Sequence, residues 1–294
     1  MLTKIPLKVT KKLGKLALLP LPWRVQDAIY YRKNYKHFPS IKKPRTFSEK
    51  VLHRKYYANR KIYSKLADKF LVRKYIADCI GPEYLTELLF ETDDPEKLLQ
   101  MLDWTNVAIK PNHGAGMIKL IGSQAPSEAE KRAIIKYCKK WLKLDFSTAA
   151  REIHYRFIKR RILVERLLGD GITPPTDYKF HCFKNQDGQI NYVLLVINDR
   201  FSATPSRGYY LDSLDDCVVA YGGGNHAIPS EHAPFLQQAI QLNTILAADF
   251  DYVRVDWHVD SGKLFFGELT FTPGAGLDNP FGEKLELIMG GMWL

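Results

Sequence analysis

The hydrophobic pattern of this chain changes its period near Val107. From Trp23 to about Asp78, apolar residues recur at the three- and four-residue spacing of helices. From Val107 onward they occur mainly in short runs, many of them bounded by Gly, Pro and Asp, which is typical of strands. We therefore predict an α+β fold that is preceded by a mainly helical, basic region.

Positive charge is concentrated at one end of the chain. Residues 1–45 contain twelve Lys and Arg but only one acidic residue, Asp27, whereas the other residues balance at 31 basic and 31 acidic side chains. A protein that wraps nucleic acid along its body spreads basic residues more widely, so we expect no nucleic-acid partner. Two interpretations of residues 1–45 stay open, a contact with an anionic membrane face or an acidic polysaccharide, and a solvated arm.

Composition limits the class of protein further. Hydrophobic residues make up 46% of the sequence, which is enough for a buried core. No apolar stretch reaches the ~20 residues of a membrane-spanning helix. The four cysteines lie far apart, without zinc or redox spacing, as in reduced cytoplasmic proteins. We expect a cytoplasmic protein, with residues 1–45 at the inner face of the membrane as the open alternative.

The pattern predicts individual elements. Helices are expected at residues 63–78, 94–102, 127–144, 148–158 and 234–248, and Thr46 or Ser48 is expected to cap a further helix. Strands are expected at residues 107–110, 117–120, 162–165, 178–183, 190–197, 252–259 and 263–271. Residues 198–229 are expected to be rich in loops.

The first candidate site residues follow the strand at 107–110. Lys110 ends this strand, and Asn112, His113, Gly114, Ala115 and Gly116 come directly after it. Small residues let backbone N–H groups approach an anion, and a lysine beside them supplies charge for phosphates. The pattern predicts a phosphate-binding flap, although an ordinary Gly-rich hairpin turn has the same signature.

Two further strands carry charged side chains. Glu165 ends the apolar strand at 162–165, and Arg166, Leu167 and Leu168 follow it, which suits the polar edge and apolar walls of a purine site. Asp177 and Lys179 are two residues apart, so they share one face of a strand, from which Lys179 can reach a γ-phosphate. Solvated side chains at both places are the alternative.

The final hairpin has the strongest local signal. Arg254 and Asp256 lie two apart on one strand, and Glu268 and Thr270 lie two apart on the next. Each pair therefore shares a face of its own strand. Carboxylates and a hydroxyl on one face are ligands that suit Mg²⁺ against phosphate oxygens. The alternative is an ordinary Arg–Glu cross-strand pair on a solvent face.

Whether the two pairs meet depends on the connection between the strands. With a two-residue loop at Ser261 and Gly262, Asp256 opposes Gly267, and the carboxylates point to opposite faces. A three-residue loop or a bulge brings them together. A shared metal site therefore predicts an odd loop length or a bulge in this hairpin.

These segments together resemble a known family. The sequences VAIKPNHGAGM, ILVERLLGD, DYKFHCF and YVRVDWHVDSGKLFFGELTFTPGAG occur in this order and are similar to the ATP-grasp superfamily, specifically to its TupA-like branch, associated with teichuronopeptide and other surface polysaccharides. The likeness to the branch extends to PRTFSEK and ADKFLVRKYIADCIGPEYL. The resemblance implies an ATP-grasp fold, in which two α+β subdomains clasp ATP.

The resemblance also implies roles and cofactors, ATP and Mg²⁺. Arg254 is expected to steady transferred phosphate. Phosphate and nucleotide contacts are expected at Lys69 or Arg73, Lys110, the flap residues Gly114, Ala115 and Gly116, and the hinge Glu165, Arg166, Leu167 and Leu168. From the strand and loop pattern alone, we also expect His113 and Asp177 at the nucleotide and Lys179 at the γ-phosphate. Asp256 and Glu268 match the metal ligands. Thr270 stands where Asn is frequent, which leaves the number of magnesium ions open.

The resemblance implies a division of the chain as well. We expect a basic segment at 1–45, a helical subdomain at 46–104, a flap subdomain at 105–170, and a larger subdomain with the metal site at 171–294.

The expected activity is that of a carboxylate–amine ligase. It forms an amide through an acyl phosphate from small carboxylate and amine substrates, and the branch implies a uronic acid of a surface polysaccharide, or a nucleotide-linked or other precursor, joined to an amino acid or amine. Three alternatives stay open: a kinase of a sugar or small alcohol, a glycosyltransferase, and a non-catalytic module that binds polyanions.

Overall fold

The protein is described here from a computed structural model, which covers residues 20–169, 175–198, 205–222, 226–278 and 281–294. Within these residues the chain forms two compact units, one of residues 20–58 and 274–291 without 279–280, and one built on Asn59–Pro273. The predicted α+β class is confirmed. The boundaries expected at residues 45, 104 and 170 stay predictions, and the five lysines of residues 1–19 lie outside the described residues.

The described residues form eight α-helices and ten strands. The helices are α1 (Trp23–Tyr35), α2 (Phe47–Tyr57), α3 (Lys61–Ala67), α4 (Val72–Ile80), α5 (Glu128–Lys143), α6 (Phe146–Ala150), α7 (Ala233–Leu246) and α8 (Gly282–Met292). The strands are β1 (Leu88–Thr92), β2 (Val107–Pro111), β3 (Lys119–Ile121), β4 (Ile162–Arg166), β5 (Asp177–Lys184), β6 (Ile190–Asn198), β7 (Ser206–Leu211), β8 (Cys217–Tyr221), β9 (Tyr252–Asp260) and β10 (Lys263–Thr270). None of the described helices is long and apolar enough to span a membrane.

The first unit begins α2 at one of the two predicted caps. The Thr46 hydroxyl accepts the N–H of Glu49 (3.3 Å), and the Glu49 carboxylate accepts the N–H of Thr46 (3.2 Å). This reciprocal pair satisfies two backbone donors that a helix start leaves open. The apolar core of the unit is formed by Tyr31, Ile41, Leu52 and Leu277.

The second unit contains two antiparallel sheets. The smaller sheet has the order β1-β4-β2-β3. Helix α5, whose start is capped reciprocally by Ser127 and Glu130, packs Ile134, Ile135 and Cys138 against it. The sheet contributes Val107, Ile109, Ile162 and Val164 to this core, so β2 and β4 lie at its centre with Lys110 and Glu165 near their ends.

The larger sheet has the order β10-β9-β5-β6-β7-β8. Its strands alternate, so that one face is apolar and packs against α3, α4 and α7 through residues that include Leu66, Ile76 and Leu236. The other face carries the charged residues of β5 and β9. The register places Lys179 opposite Asp256, and His181 opposite Arg254.

The final hairpin contains the predicted bulge. Its loop has two residues, Ser261 and Gly262, both with positive φ (49° and 68°), as two-residue hairpin turns require. The register then shifts between Phe266 and Glu268, which makes Gly267 the extra residue. Because of this shift Glu268, and not Gly267, opposes Asp256.

Several predicted elements were wrong in detail. The helix expected at 63–78 is broken into α3 and α4, because the Asp68 carboxylate accepts the N–H groups of Phe70 and Leu71 and closes a turn between the two helices. The helix expected at 148–158 ends at Arg151, which adopts a left-handed conformation (φ 57°). The helix expected at 94–102 is a 3₁₀ helix at Pro95–Gln100, and strands β1, β7 and β8 were not predicted. Strand β3 begins two residues later than expected.

We predict that Gly267→Ala destabilises the protein. A β-carbon at Gly267 would lie 3.1 Å from the Asp256 carbonyl oxygen and 3.3 Å from the Asp256 β-carbon, closer than packed atoms normally approach. The expected loss is about 1–3 kcal/mol in the free energy of unfolding, measured by denaturant titration. Gly122→Ala is the matched control, since nothing lies within 4 Å of its added carbon. Equal stability of the two variants would show that the bulge is not tightly packed.

Candidate functional site

The centre of the site is Arg254, whose guanidinium contacts two carboxylates. Its Nε and Nη2 atoms donate to the two Asp256 oxygens (2.6 and 2.8 Å), and Nη2 also donates to Glu268 Oε1 (2.7 Å). Asp256 is buried, whereas the Glu268 side chain is 30% exposed. Sequence analysis predicted that these three side chains share a face, and the structure brings them together.

Lys179 extends the cluster onto the neighbouring strand. Its Nζ lies 2.6 Å from Asp256 Oδ2 and 3.7 Å from Asp177 Oδ2. Asp177 is buried, and its other oxygen lies 3.6 Å from His258 Nδ1. The predicted Asp177–Lys179 pair is thus part of a network and not an exposed ion pair.

Electrostatics keeps the cluster charged. Burial alone raises the pKa of Glu268, but attraction by Lys69, Arg254 and Lys179 outweighs burial and holds this pKa well below its ordinary value. Burial alone lowers the pKa of Arg254, but the negative charges of Asp256 and Glu268 outweigh burial and raise this pKa above its ordinary value. Glu268 therefore stays an anion at every pH at which the protein is expected to work.

A second charged cluster lies across a cleft. Lys110 Nζ is 2.6 Å from Glu165 Oε2, and Arg73 Nη1 is 3.3 Å from Glu165 Oε1. Arg73 also donates to the carbonyl oxygen of Thr86 (2.7 Å). Glu165 is buried, and its charge is compensated by the two cations that contact it. It is therefore not a solvated strand end.

The cleft has a volume of about 270 Å³, including open solvent, and runs between the smaller sheet, α4 and strand β10. Its charged residues are Lys69, Arg73, Lys110 and Glu165, and its other walls are Val72, Leu85, Thr86, Phe266 and Gly267. A cleft with apolar walls and cations at its edge suits a heterocycle that carries an anionic chain. Sequence reasoning missed Val72, Leu85, Thr86 and Phe266, because three chain segments supply them without a shared motif.

The predicted flap lies beside Lys69. The Lys69 ammonium donates to the Gly114 carbonyl oxygen (2.7 Å) and lies 3.4 Å from Glu268 Oε2. Gly114 has a φ of 79°, and a β-carbon there would lie 2.5 Å from the Phe146 ring, so both conformation and space require glycine. The next two residues, Ala115 and Gly116, are exposed.

His113 lies beneath the flap and not on its surface. The residue is buried, and its Nε2 is 3.3 Å from the Leu144 carbonyl oxygen. Burial lowers the pKa of His113, which favours the neutral ring. A nucleotide contact by this side chain stays a prediction.

The predicted hinge continues from β4. Arg166 is exposed and pairs with Glu87 (3.0 Å), and the Leu167 N–H donates to the Asn106 carbonyl oxygen (2.9 Å). Leu167 and Leu168 are half-buried. The Arg166 side chain is therefore engaged outside the cleft, and contacts of the hinge with a nucleotide stay a prediction.

The carboxylates fit a magnesium ion that is completed by phosphate oxygens. Within the described ranges no group of three His, Cys, Asp or Glu side chains is arranged to hold a metal ion. Magnesium commonly needs only one or two carboxylates beside water and phosphates, and Asp256 and the ionised Glu268 oppose each other on adjacent strands. The Thr270 hydroxyl donates to Glu268 Oε1 (3.1 Å), so it orients this carboxylate in the structure.

The solved structures that are similar to this chain include ligases of low sequence identity to it. A D-alanine–D-alanine ligase from Helicobacter pylori is 13% identical with a TM-score of 0.49, and covers 78% of this chain and 61% of its own. An L-amino acid ligase from Bacillus licheniformis is 12% identical with a TM-score of 0.45 (78% and 50%). The VanG D-Ala:D-Ser ligase from Enterococcus faecalis is 17% identical with a TM-score of 0.43 (79% and 62%). The chain thus spans less than two thirds of each of these structures.

No curated protein matches the sequence. The model of one protein family, described as TupA-like ATPgrasp, matches residues 49–294. This range includes both sheets, the flap, the cleft and the Arg254 cluster. The ATP-grasp fold that the sequence motifs implied is confirmed, and the chain belongs to the TupA-like ATP-grasp family.

Proposed function

We propose that this protein is an ATP- and Mg²⁺-dependent carboxylate–amine ligase. The observation that carries the proposal is the arrangement of Arg254 between Asp256 and Glu268, with Lys69 and Lys179 beside them. Carboxylates that present a metal and cations that meet phosphate oxygens are what phosphoryl transfer requires. Membership of the family supports the same conclusion.

The nucleotide is proposed to occupy the cleft between the two charged clusters. Its base would lie among Val72, Leu85 and Phe266. Its phosphates would extend toward Lys110 and the backbone N–H groups of the flap. One ligand would thereby extend from the Lys110–Glu165 pair toward the Arg254 cluster.

The proposed reaction begins with activation of a carboxylate. A substrate carboxylate oxygen attacks the γ-phosphorus of ATP, the bond from phosphorus to the β-bridging oxygen breaks, and ADP leaves. Arg254 and Lys179 stabilise the charge that develops on the transferred group. Asp256 and Glu268 would hold Mg²⁺, which when bound neutralises charge on the phosphate oxygens.

The second step forms the amide. The amine nitrogen attacks the acyl carbon, the bond from this carbon to the phosphate oxygen breaks, and phosphate leaves while the nitrogen loses a proton. Activation is needed because an ionised carboxylate repels nucleophiles and has no good leaving group. The acyl phosphate must be kept from water, a role that we assign to the flap.

The substrates are proposed from the family branch. The carboxylate is a uronic acid of a surface polysaccharide or of its nucleotide-linked precursor, and the amine is an amino acid or another small amine. Residues 1–45 would hold the protein near an acidic polymer or an anionic membrane face, through side chains such as Arg24, Arg32 and Lys33.

We predict that ADP release depends on both clusters. With D-glucuronic acid and a panel of amino acids as substrates, Lys110→Met and Glu268→Gln are each expected to lower the rate of ADP release at least ~100-fold. Lys110→Met removes a cation from the phosphates, and Glu268→Gln weakens the hold on the Mg²⁺ that would neutralise them. The measurement is a coupled assay of ADP. Lys119→Met is the matched control, since Lys119 is exposed on β3, and this variant is expected to keep the wild-type rate.

The same assay separates the ligase from a kinase. A ligase releases free phosphate only when a carboxylate and an amine are both present, and its product contains a new amide. A stable phosphorylated sugar, formed without an amine, would contradict the ligase assignment and favour the kinase.

We predict that nucleotide binding requires Mg²⁺ and the carboxylate Glu268. ATP with Mg²⁺ at about 100 times its dissociation constant is expected to stabilise the wild-type protein by about 2.7 kcal/mol. ATP with EDTA is expected to stabilise the wild-type protein much less. In Glu268→Gln, the stabilisation by ATP with Mg²⁺ is expected to fall close to that by ATP with EDTA. Thermal denaturation checks this. Equal protection of the wild-type protein with and without Mg²⁺ would exclude a metal-bridged nucleotide.

A further inference from the structure

A buried hydrogen-bonded pair lies beside the site without belonging to it. Asp68 is 2% exposed, and its Oδ1 accepts three N–H bonds, from the backbone of Phe70 (2.9 Å) and Leu71 (3.3 Å) and from Asn112 Nδ2 (2.8 Å). The first two bonds close the turn that precedes helix α4. The third bond crosses from the α3–α4 turn to the end of strand β2.

Asn112 uses all its hydrogen-bonding groups in this place. The residue is fully buried, and its Nδ2 also donates to the Lys159 carbonyl oxygen (2.9 Å), while its Oδ1 accepts the N–H of Arg161 (2.8 Å). Its backbone N–H donates to the Arg161 carbonyl oxygen, and its backbone oxygen accepts the N–H of Lys69. A buried polar group with every partner present fixes the segments that it joins.

The three joined segments all lead into the site. Lys69 follows Asp68 directly, and its ammonium contacts both Gly114 and Glu268. The flap begins at the residue after Asn112, and Lys110 lies two residues before it. A displacement of Asn112 would therefore move the flap and a phosphate lysine together, and a displacement of Asp68 would move Lys69 away from Glu268.

We propose that Asp68 and Asn112 are positioning residues that hold the flap and Lys69 in register with the metal carboxylate Glu268. Neither side chain lines the cleft. They act by fixing the base of the flap, so that the Lys69 ammonium can bond the Gly114 carbonyl and the Glu268 carboxylate at once. The effect on catalysis rests on the proposed function, whereas the effect on the flap is a property of the protein without nucleotide.

Two measurements test the proposal. Hydrogen exchange of residues 113–117 in the nucleotide-free protein reports the flap, and isothermal titration with ATP and Mg²⁺ reports the site. Asp68→Ala is expected to speed exchange of these amides about tenfold and to raise the dissociation constant of ATP–Mg²⁺ about tenfold. Of the three bonds that it removes, only the bond to Asn112 reaches the base of the flap, and about tenfold is the effect of losing one bond to a charged group. Asp68→Asn keeps an oxygen that accepts the same donors, and is expected to stay within about threefold of wild type.

The control variant is Asp94→Ala. Asp94 also caps a helical turn, by accepting the N–H of Glu96 (3.1 Å), but it is exposed and belongs to the turn that follows β1. This variant is expected to change neither the flap exchange nor the ATP–Mg²⁺ affinity. A role of Asp68 in stability alone would lower the melting temperature and leave both quantities at their wild-type values.

A second variant keeps the test decisive if Asp68→Ala does not fold. Lys69 is only partly buried, and Lys69→Met removes the link from the flap to Glu268 while leaving Asp68 and Asn112 intact. It is expected to speed exchange at residues 113–117 to a similar extent. Wild-type exchange in Lys69→Met, or wild-type exchange and affinity in a folded Asp68→Ala, would overturn the proposal. If the wild-type protein does not bind ATP–Mg²⁺, the proposed function fails, and the exchange data still decide the positioning role.

Discussion

The contact of one guanidinium with two carboxylates organises the charged face of the larger sheet. Arg254 can reach Asp256 and Glu268 together because the two strands are paired and a bulge sets their register. Two carboxylates this close repel each other in a partly buried place, and the arginine with its neighbouring lysines offsets that repulsion. The same balance suits the site to a ligand that brings its own anion and cation, since phosphates compete for the basic groups while a metal competes for the acidic ones.

Each of the two sheets contributes one of the charged clusters. The smaller sheet contributes Lys110 and Glu165 from adjacent strands, and the larger sheet contributes Asp256 and Glu268. The Arg254 cluster has three cations for three carboxylates, and the second cluster has Lys110 and Arg73 for Glu165, so every partly buried carboxylate has a cationic partner. Helix α4 connects them in the chain through Arg73, which contacts Glu165, and through the preceding Lys69, which contacts Glu268.

Much of this arrangement was predictable from local sequence, and the parts that were not have a common cause. The alternation of Arg254 and Asp256, the small residues after Lys110 and the capping signal at Thr46 depend on neighbours in the chain, and the structure contains them. The break at Asp68 depends on a side chain that competes with helix continuation, which periodicity does not report. Strands β7 and β8 were missed because sheet pairing, and not a strong apolar run, defines them. The cleft walls come from separate segments.

The bulge at Gly267 limits how the final hairpin can change in length. Every position between the turn and the bulge alternates faces, so deletion of a single residue there would exchange the inward and outward sets of side chains for the rest of strand β10. Substitutions can alter this ribbon gradually, but insertions and deletions are acceptable only when they preserve parity. Among relatives of this protein, length variation should therefore accumulate in pairs within the hairpin and without such restriction in surface loops.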